Sequence, residues 1–157
     1  MTLSELLNPN AIWLKLKAGS KREALVELVD LLESGHGFNS QGEILDRVMR
    51  REAMMSTALF PGAAIPHGKA RSADRMAAAC GISPAGVDFE SEDSKPTHLF
   101  VLLVSPESAT TQHVKLLANI SRLLKEERVR RGLSAVESPE AFLEALRSAE
   151  SAYISSS

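Results

Sequence analysis

The stretch that decides the fold lies at residues 98–104, which read His-Leu-Phe-Val-Leu-Leu-Val. The run is almost entirely apolar, yet it is much shorter than the ~18 residues that would cross a membrane as a helix. A short apolar run of this kind is typical of a strand that is buried on both faces of its sheet. We therefore expect residues 98–104 to form the central strand of a covered sheet.

The segments on either side of this run alternate between strand and helix patterns. Upstream, Ile12, Leu14 and Leu16 alternate with other residues in the manner of a half-buried strand, and residues 76–82 form a further strand candidate that is rich in alanine. Apolar residues at helical spacing occur in five segments, which begin near residues 20, 40, 110, 126 and 138. This order, without repeats or an internal linker, predicts one α/β domain in which helices cover a mixed sheet.

Sequence signals also suggest where elements begin and end. Ser20 and Ser40 are each followed three residues later by a glutamate, which is the spacing of a capping box. Residues 56–70 show no clear period and contain several prolines and glycines, so we expect an ordered loop with a short strand at 64–65. The last helical pattern ends at about Ala149. We therefore expect a domain over residues 1–149 and a disordered tail over residues 150–157.

Composition and charge exclude several classes of protein. The 157 residues include 18 basic and 20 acidic side chains, and the net charge of −2 excludes a strongly basic nucleic-acid-binding protein. The single cysteine, Cys80, excludes an internal disulfide and a zinc site built from cysteines. No apolar run reaches ~18 residues, and the N-terminus lacks the order of a secretory signal. We expect a cytoplasmic protein that neither binds nucleic acid nor inserts into a membrane.

His67 lies in the segment Ile65-Pro66-His67-Gly68-Lys69, where a histidine is well placed as a nucleophile. Pro66 fixes its own φ, and Gly68 leaves room for another group to approach the backbone. An ordinary histidine pKa of ~6.5 leaves the ring largely neutral at pH 7, which is the form that attacks phosphorus. The alternative interpretation is a solvated Pro-His-Gly turn, and the motif alone does not separate the two.

Arg51 stands 16 residues before His67 and also has two interpretations. It falls in the last turns of a predicted helix, where a cation stabilises the helix dipole. Alternatively, it binds phosphoryl oxygens through its guanidinium fork, and Glu52 orients it. Ser56 and Thr57 offer two hydroxyl groups shortly before the histidine, either to such a site or as turn caps.

His113 falls in the first turn of the helix predicted to begin near residue 110. It shares a stripe with Leu117, Ile120 and Leu124, so we expect it to face inward. It either closes the edge of the core or serves an anion site at the helix N-terminus. The other two histidines and the cysteine are interpreted as structural, namely His36, His98 and Cys80.

At these residues the sequence resembles a known family, the enzyme IIA domain of the bacterial phosphoenolpyruvate-dependent phosphotransferase system. The similarity is to its fructose–mannitol and nitrogen-regulatory branch, and it spans about residues 1–149. The motifs that carry the resemblance are Ser4-Glu5-Leu6-Leu7, Arg51-Glu52, Ser56-Thr57, Ala64-Ile65-Pro66-His67-Gly68, the strand at 98–104 and Gln112-His113. Their order and spacing are together more specific than the Pro-His-Gly motif alone.

The resemblance implies a fold and a chemistry. The fold would be a three-layer α/β/α sandwich with a central mixed β-sheet. His67 would accept a phosphoryl group from a histidine-containing phosphocarrier protein, His113 would support the phosphorylated histidine, and Arg51 would lie near the phosphoryl group. The protein would thus be a phosphotransferase with a phosphohistidine intermediate. It would need no metal or other cofactor, because the phosphoryl group arrives on a histidine of another protein.

Two functions are compatible with this chemistry. The length of the chain and the string at residues 65–69 resemble the nitrogen-regulatory branch, which implies a phosphorylation-dependent regulator that binds a target protein. The alternative is a sugar-specific enzyme IIA of the fructose–mannitol type, which passes the phosphoryl group to a permease domain during sugar uptake. A structural domain without activity is the third possibility, and it requires the motif spacing to be a coincidence.

The segment Ala58-Leu59-Phe60-Pro61 departs from the family, in which glycines often lie between the Ser-Thr pair and the histidine. The departure predicts a stiffer and more apolar loop. We expect Leu59, Phe60 and Ile65 to form an apolar docking surface beside His67. A partner that buries this surface would prefer the unphosphorylated protein, because burying an unpaired charge costs several kcal/mol.

Overall fold

In the computed structural model, which describes residues 1–154, the apolar run at 98–104 lies within strand β5 (Thr97–Pro106). Its side chains alternate between two separate cores, and those of residues 99–104 are all buried. Leu99, Val101 and Leu103 enter one core, and Phe100, Leu102 and Val104 enter the other. The prediction of a central strand that is buried on both faces is confirmed.

Ten helices and strands make up the described part of the chain. The α-helices are α1 (Lys21–His36), α2 (Glu43–Met54), α3 (Thr110–Leu124), α4 (Glu127–Ser134) and α5 (Pro139–Tyr153). The strands besides β5 are β1 (Ile12–Trp13), β2 (Ala63–Ala64), β3 (His67–Ala70) and β4 (Ala77–Val87). Two short 3₁₀ turns, Ser4–Leu6 and Pro9–Ala11, precede β1.

The sheet is mixed, and helices cover both of its faces. The strand order is β1-β4-β5-β2, and β3 pairs with β5 beyond β2. Only the β4–β5 pair is antiparallel among these strands, while the other pairs are parallel. Helices α1 and α2 pack on one face, and α3, α4 and α5 pack on the other. This arrangement confirms the three-layer α/β/α sandwich.

The short strand expected at residues 64–65 is present as β2 (Ala63–Ala64), but the rest of the predicted loop contains a second strand, β3, which the sequence did not predict. Strand β2 pairs with the first half of β5, and β3 pairs with the second half, where His67 lies opposite Leu103. Pro66 lies between the two strands, and its carbonyl oxygen accepts a hydrogen bond from the Leu103 N–H at 3.1 Å. The strand pattern is hidden in the sequence because β3 alternates two polar residues with Gly68 and Ala70 rather than with large apolar ones.

The two predicted capping boxes have different outcomes. The Ser20 hydroxyl oxygen accepts the Glu23 N–H at 3.2 Å, so α1 begins as predicted. The second helix instead begins after Gly42, whose φ is +91°, and the Ser40 hydroxyl oxygen accepts the Ile44 N–H at 3.2 Å. The Glu43 side chain points away from this N-terminus. Its carboxylate accepts N–H groups of the loop that follows β3.

The last helix extends beyond its predicted end at Ala149. Helix α5 continues to Tyr153, and Glu150 is buried rather than part of a disordered tail. The Glu150 carboxylate accepts hydrogen bonds from the backbone N–H of Ser4 at 3.1 Å and from the Ser4 hydroxyl at 2.5 Å. Residues 155–157 of the predicted tail lie outside the described residues.

We expect the replacement Glu150→Ala to lower the free energy of unfolding by about 2–3 kcal/mol, because it leaves two buried donors of Ser4 without their acceptor. Urea unfolding at pH 7 measures this loss. Glu144→Ala is the matched control, since Glu144 is exposed on the same helix and should change stability by less than about 0.5 kcal/mol. Equal losses in the two variants would show that the Ser4–Glu150 contact is not stabilising.

Candidate functional site

A cleft of about 540 Å³ brings together the three residues that the sequence analysis selected. His67 begins β3, His113 lies in the first turns of α3, and Arg51 lies in the last turn of α2. The cleft is also lined by Arg47, Arg50, Met54, Gly68, Lys69, Glu107 and Leu117. Residues from two helices and one strand therefore converge on a single hollow.

Gly68 allows α2 to pack directly against β3. A Cβ atom at this position would lie only 3.2 Å from the backbone nitrogen of Val48 and 3.2 Å from its Cγ2 atom. The prediction that Gly68 lets another part of the protein approach its backbone is confirmed, and the part that approaches is helix α2. Because α2 lies so close, its side chains at helical spacing from Arg47 to Met54 face the cleft.

The hydrogen bond that His67 makes determines which of its nitrogens is free. The Nδ1 atom lies 2.8 Å from the carbonyl oxygen of Ile65. Since a carbonyl oxygen only accepts, Nδ1 carries the proton and the neutral ring keeps an unprotonated Nε2. Burial lowers the pKa of His67, and the Arg51 charge acts in the same direction. The ring is therefore neutral at pH 7, with a lone pair on Nε2.

His113 lies beside His67 on the other wall of the cleft. The two ring centroids are 5.5 Å apart, and the His113 residue is 6% exposed, which confirms that it faces inward. Its Nδ1 atom lies 2.7 Å from the hydroxyl oxygen of Ser105. Burial, with smaller contributions from the His67 and Lys69 charges, lowers the pKa of His113 to about 4. This ring is also neutral at pH 7.

Arg51 has features of both of its predicted roles. Its Nη1 atom donates to the carbonyl oxygen of Met55 at 2.8 Å, just after the end of α2, and the side chain also lines the cleft. The prediction that Glu52 orients it is wrong. Glu52 is buried and accepts from the Thr57 N–H at 2.7 Å and from the Thr57 hydroxyl at 2.6 Å. It also forms an ion pair with Lys21 at 3.1 Å.

The hydroxyl groups of Ser56 and Thr57 are both bound within the segment that follows α2. Ser56 donates to the carbonyl oxygen of Phe89 at 2.8 Å and accepts the Ala58 N–H at 3.2 Å. Thr57 is bound to Glu52, as described above. Neither residue lines the His67 cleft. The turn-capping interpretation is correct for Ser56, whereas the Thr57 hydroxyl binds the Glu52 side chain instead.

The expected docking surface beside His67 does not form as predicted. Ile65 is only 5% exposed and belongs to the core. Leu59 and Phe60 line a different hollow, together with Glu92 and Asp93. The apolar residue that lines the His67 cleft and is freely accessible is Met54, at 81% exposure.

Arg47, Glu107 and Ser105 belong to the site or its surroundings but were not predicted from the sequence. Arg47 lies one helical turn before Arg51, a spacing that could have revealed it. Glu107 forms ion pairs with Arg47 at 3.1 Å and with Arg71 at 3.6 Å. Ser105 closes the apolar run of β5 and is fully buried, so no pattern in the sequence distinguishes it from a core residue.

The residues interpreted as structural are bound within the fold. His98 donates from Nδ1 to the carbonyl oxygen of Ser83 at 2.8 Å, and His36 donates from Nε2 to that of Ala78 at 2.8 Å. Burial raises the pKa of the Cys80 thiol, which is buried in the core. Within residues 1–154, no three His, Cys, Asp or Glu side chains are grouped as a metal site requires, and no helix is long and apolar enough to span a membrane.

Comparisons with known proteins agree on one family. Residues 5–149 match the family described as "Phosphoenolpyruvate-dependent sugar phosphotransferase system, EIIA 2". The chain is 34% identical over 146 residues to the nitrogen regulatory protein of Bradyrhizobium diazoefficiens. This match covers 93% of this chain and 95% of that protein. It is 33% identical over 144 residues to the fructose-specific EIIABC component of Bacillus subtilis, covering 92% of this chain but only 23% of that much longer protein.

A solved structure supports the same conclusion. The crystal structure of the nitrogen regulatory protein IIA-Ntr from Neisseria meningitidis superimposes with a TM-score of 0.83 at 28% identity. The match covers 91% of this chain and 97% of that one. IIA mannitol from Escherichia coli has the same fold, with a TM-score of 0.75 at 24% identity. The chain therefore belongs to the EIIA 2 family of the phosphoenolpyruvate-dependent sugar phosphotransferase system, whose members are phosphotransfer components.

Proposed function

We propose that the protein accepts a phosphoryl group on Nε2 of His67 from a histidine-containing phosphocarrier protein, and that it serves as a phosphorylation-dependent regulator of the nitrogen-regulatory type. The observation that carries the proposal is the Ile65–His67 hydrogen bond. It places the proton on Nδ1 and leaves a lone pair on Nε2. A nitrogen with a free lone pair, on a ring that is neutral at pH 7, is the nucleophile that this reaction requires.

The transfer is a substitution at phosphorus. The Nε2 lone pair of His67 forms a new N–P bond while the N–P bond to the carrier histidine breaks. The bonding electron pair returns to the carrier nitrogen, and the three phosphoryl oxygens keep their charge throughout. His67 needs no base to remove a proton, because the attacking nitrogen carries none.

The charges of the cleft suit this reaction. The residues that line the cleft include one carboxylate, Glu107. They also include four cations, namely Arg47, Arg50, Arg51 and Lys69. Arg47 is paired with Glu107, whereas no carboxylate pairs with Arg51 or Lys69 in the described part of the chain. These two cations are therefore available to the phosphoryl oxygens, where fixed positive charge stabilises the transferred group.

The regulatory role is supported by the extent of the similarity. The match to the Bradyrhizobium nitrogen regulatory protein covers 95% of that protein, and the neisserial IIA-Ntr structure superimposes over nearly its whole length. The second candidate is a sugar-specific enzyme IIA that passes the group to a permease domain. It is supported by the 33% identity to the fructose-specific component of Bacillus subtilis.

Phosphoryl flow distinguishes the two functions. The protein is phosphorylated with a purified carrier, separated from it, and mixed with membranes that contain the host's permease components. A regulator should keep its phosphoryl group whether or not fructose, mannitol or another sugar is present. Phosphorylation should also change its affinity for its target protein, because it adds about −1.5 to −2 charges at one site. Sugar-dependent loss of the group, with formation of the sugar phosphate, would instead establish the transport function.

A further inference from the structure

Ser105 lies at the end of the central strand and contacts one of the two histidines of the cleft. It is fully buried, and its hydroxyl oxygen lies 2.7 Å from Nδ1 of His113. The distance is that of a strong hydrogen bond, but two directions are possible. Either the hydroxyl donates to an unprotonated Nδ1, or a protonated Nδ1 donates to the hydroxyl oxygen.

The surroundings of Ser105 favour the first direction. Within residues 1–154, His113 is the sole hydrogen-bond partner of the Ser105 hydroxyl. If Nδ1 donated, the buried hydroxyl proton would have no acceptor, and an unsatisfied buried donor is costly. If the hydroxyl donates, both groups are satisfied. The neutral His113 ring then carries its proton on Nε2.

The position of Ser105 is fixed by the sheet. Ser105 lies opposite Lys69 in the parallel β3–β5 pair, and Leu103, two residues earlier, lies opposite His67. Ser105 is thus placed by the same strand pair that places His67. A hydroxyl group on a rigid strand can hold the adjacent imidazole in one orientation and one tautomer.

We propose that Ser105 is a positioning residue, which donates to Nδ1 of His113 and thereby keeps a proton on its Nε2 as a donor to the phosphoryl group on His67. The inference rests on the proposed function. The two neighbouring rings then have opposite tautomers. His67 is protonated on Nδ1 and offers a lone pair, whereas His113 is protonated on Nε2 and offers a hydrogen-bond donor. One ring attacks phosphorus, and the other stabilises the oxygens around it.

Nitrogen-15 NMR of the histidine rings tests this assignment directly. In the wild-type protein at pH 7, His113 should show a protonated Nε2 and an unprotonated Nδ1, and His67 the reverse. Ser105→Ala should abolish the preference of His113 for the Nε2–H form and slow phosphoryl transfer about tenfold, the effect of losing one well-placed hydrogen bond. Ser105→Thr restores a hydroxyl group and should recover both the tautomer and most of the rate.

Ser83→Ala is the matched control. Ser83 is a buried strand serine whose hydroxyl oxygen accepts the Gly86 N–H at 3.0 Å, and it does not line the cleft. This variant should leave both the His113 tautomer and the transfer rate unchanged.

Three results would overturn the inference. They are a wild-type His113 with its proton on Nδ1, an unchanged tautomer in Ser105→Ala, and a changed tautomer with an unchanged transfer rate. The spectrum of the wild-type protein shows which nitrogen of His113 is protonated, so this test remains possible even if a Ser105 variant does not fold. Failure of the proposed function is seen separately, as a wild-type protein that takes up no phosphoryl group from the carrier.

Discussion

Replacement of His67 by alanine is expected to abolish phosphoryl acceptance, whereas the wild-type protein should take up one phosphoryl group from a phosphorylated carrier. The expectation follows from the ring's hydrogen bond and location, since Nε2 is the unprotonated nitrogen of a ring that lines the cationic cleft. The modification should be labile in acid and stable in base, as expected for a phosphohistidine. Intact-protein mass before and after each treatment measures it.

His98→Ala provides the matched control for this experiment. His98 is half-buried and donates from Nδ1 to a backbone carbonyl oxygen at 2.8 Å, as His67 does, but it does not line the cleft. This variant should accept the phosphoryl group at the wild-type rate. Persistence of the label on His67→Ala at that rate would show that the acceptor has been wrongly assigned.

His113→Ala separates the roles of the two histidines. Burial lowers the pKa of His113 to about 4, so its ring is neutral at pH 7. Its Nδ1 is engaged by Ser105, which leaves Nε2 as the nitrogen that can face the phosphoryl group. We expect this variant still to accept the group on His67, because the attacking nitrogen remains, but to exchange it with the carrier slowly in both directions, because a donor to the phosphoryl oxygens is lost. A phosphoryl group found on His113 of the wild-type protein would contradict this division of roles.

The parts of the fold that the sequence predicted are those in which local pattern and burial agree. The run at 98–104 is apolar on both faces because it lies between two layers of helices. Ser20 and Ser138 mark helix starts because each hydroxyl oxygen accepts an N–H of its own first turn, at 3.2 Å and 3.0 Å. Such local interactions require no knowledge of the tertiary structure.

The errors arise where a distant contact overrides the local pattern. Strand β3 lacks an apolar alternation because Gly68 packs against the backbone of α2 and His67 faces the cleft. Helix α5 continues past Ala149 because Glu150 is held by Ser4, a partner 146 residues away in the chain. No local signal contains these contacts.

The same distinction applies to the site. His67, His113 and Arg51 could be selected because their spacing resembles that of a known family. The role of Glu52 could not be predicted, because Lys21 and Thr57 bind its carboxylate and turn it away from its neighbour Arg51.

Arg51→Ala is expected to slow phosphoryl transfer by about 10²-fold, judged by the loss of comparable charge-stabilising groups in enzymes. Arg51 lines the cleft with His67, and its guanidinium has no carboxylate partner in residues 1–154. Its charge is therefore available to the transferred group. Arg51→Lys should recover only part of the rate, because an ammonium group lacks the planar fork that binds two oxygens at once. Single-turnover transfer from the phosphorylated carrier measures both variants.

The competing explanation is that Arg51 serves the end of α2, where it donates to the carbonyl oxygen of Met55 at 2.8 Å. That hydrogen bond is exposed, so its loss should cost stability only about 0.3–1 kcal/mol. Arg131→Ala is the control for removal of a surface arginine charge, since Arg131 is exposed on α4 and pairs with Glu127 at 3.2 Å. A large loss of transfer with little change in Tm is the expected result for Arg51→Ala. Normal transfer with a lowered Tm would assign Arg51 to the helix end instead, and the phosphoryl group would then depend on Lys69 and the remaining cations of the cleft.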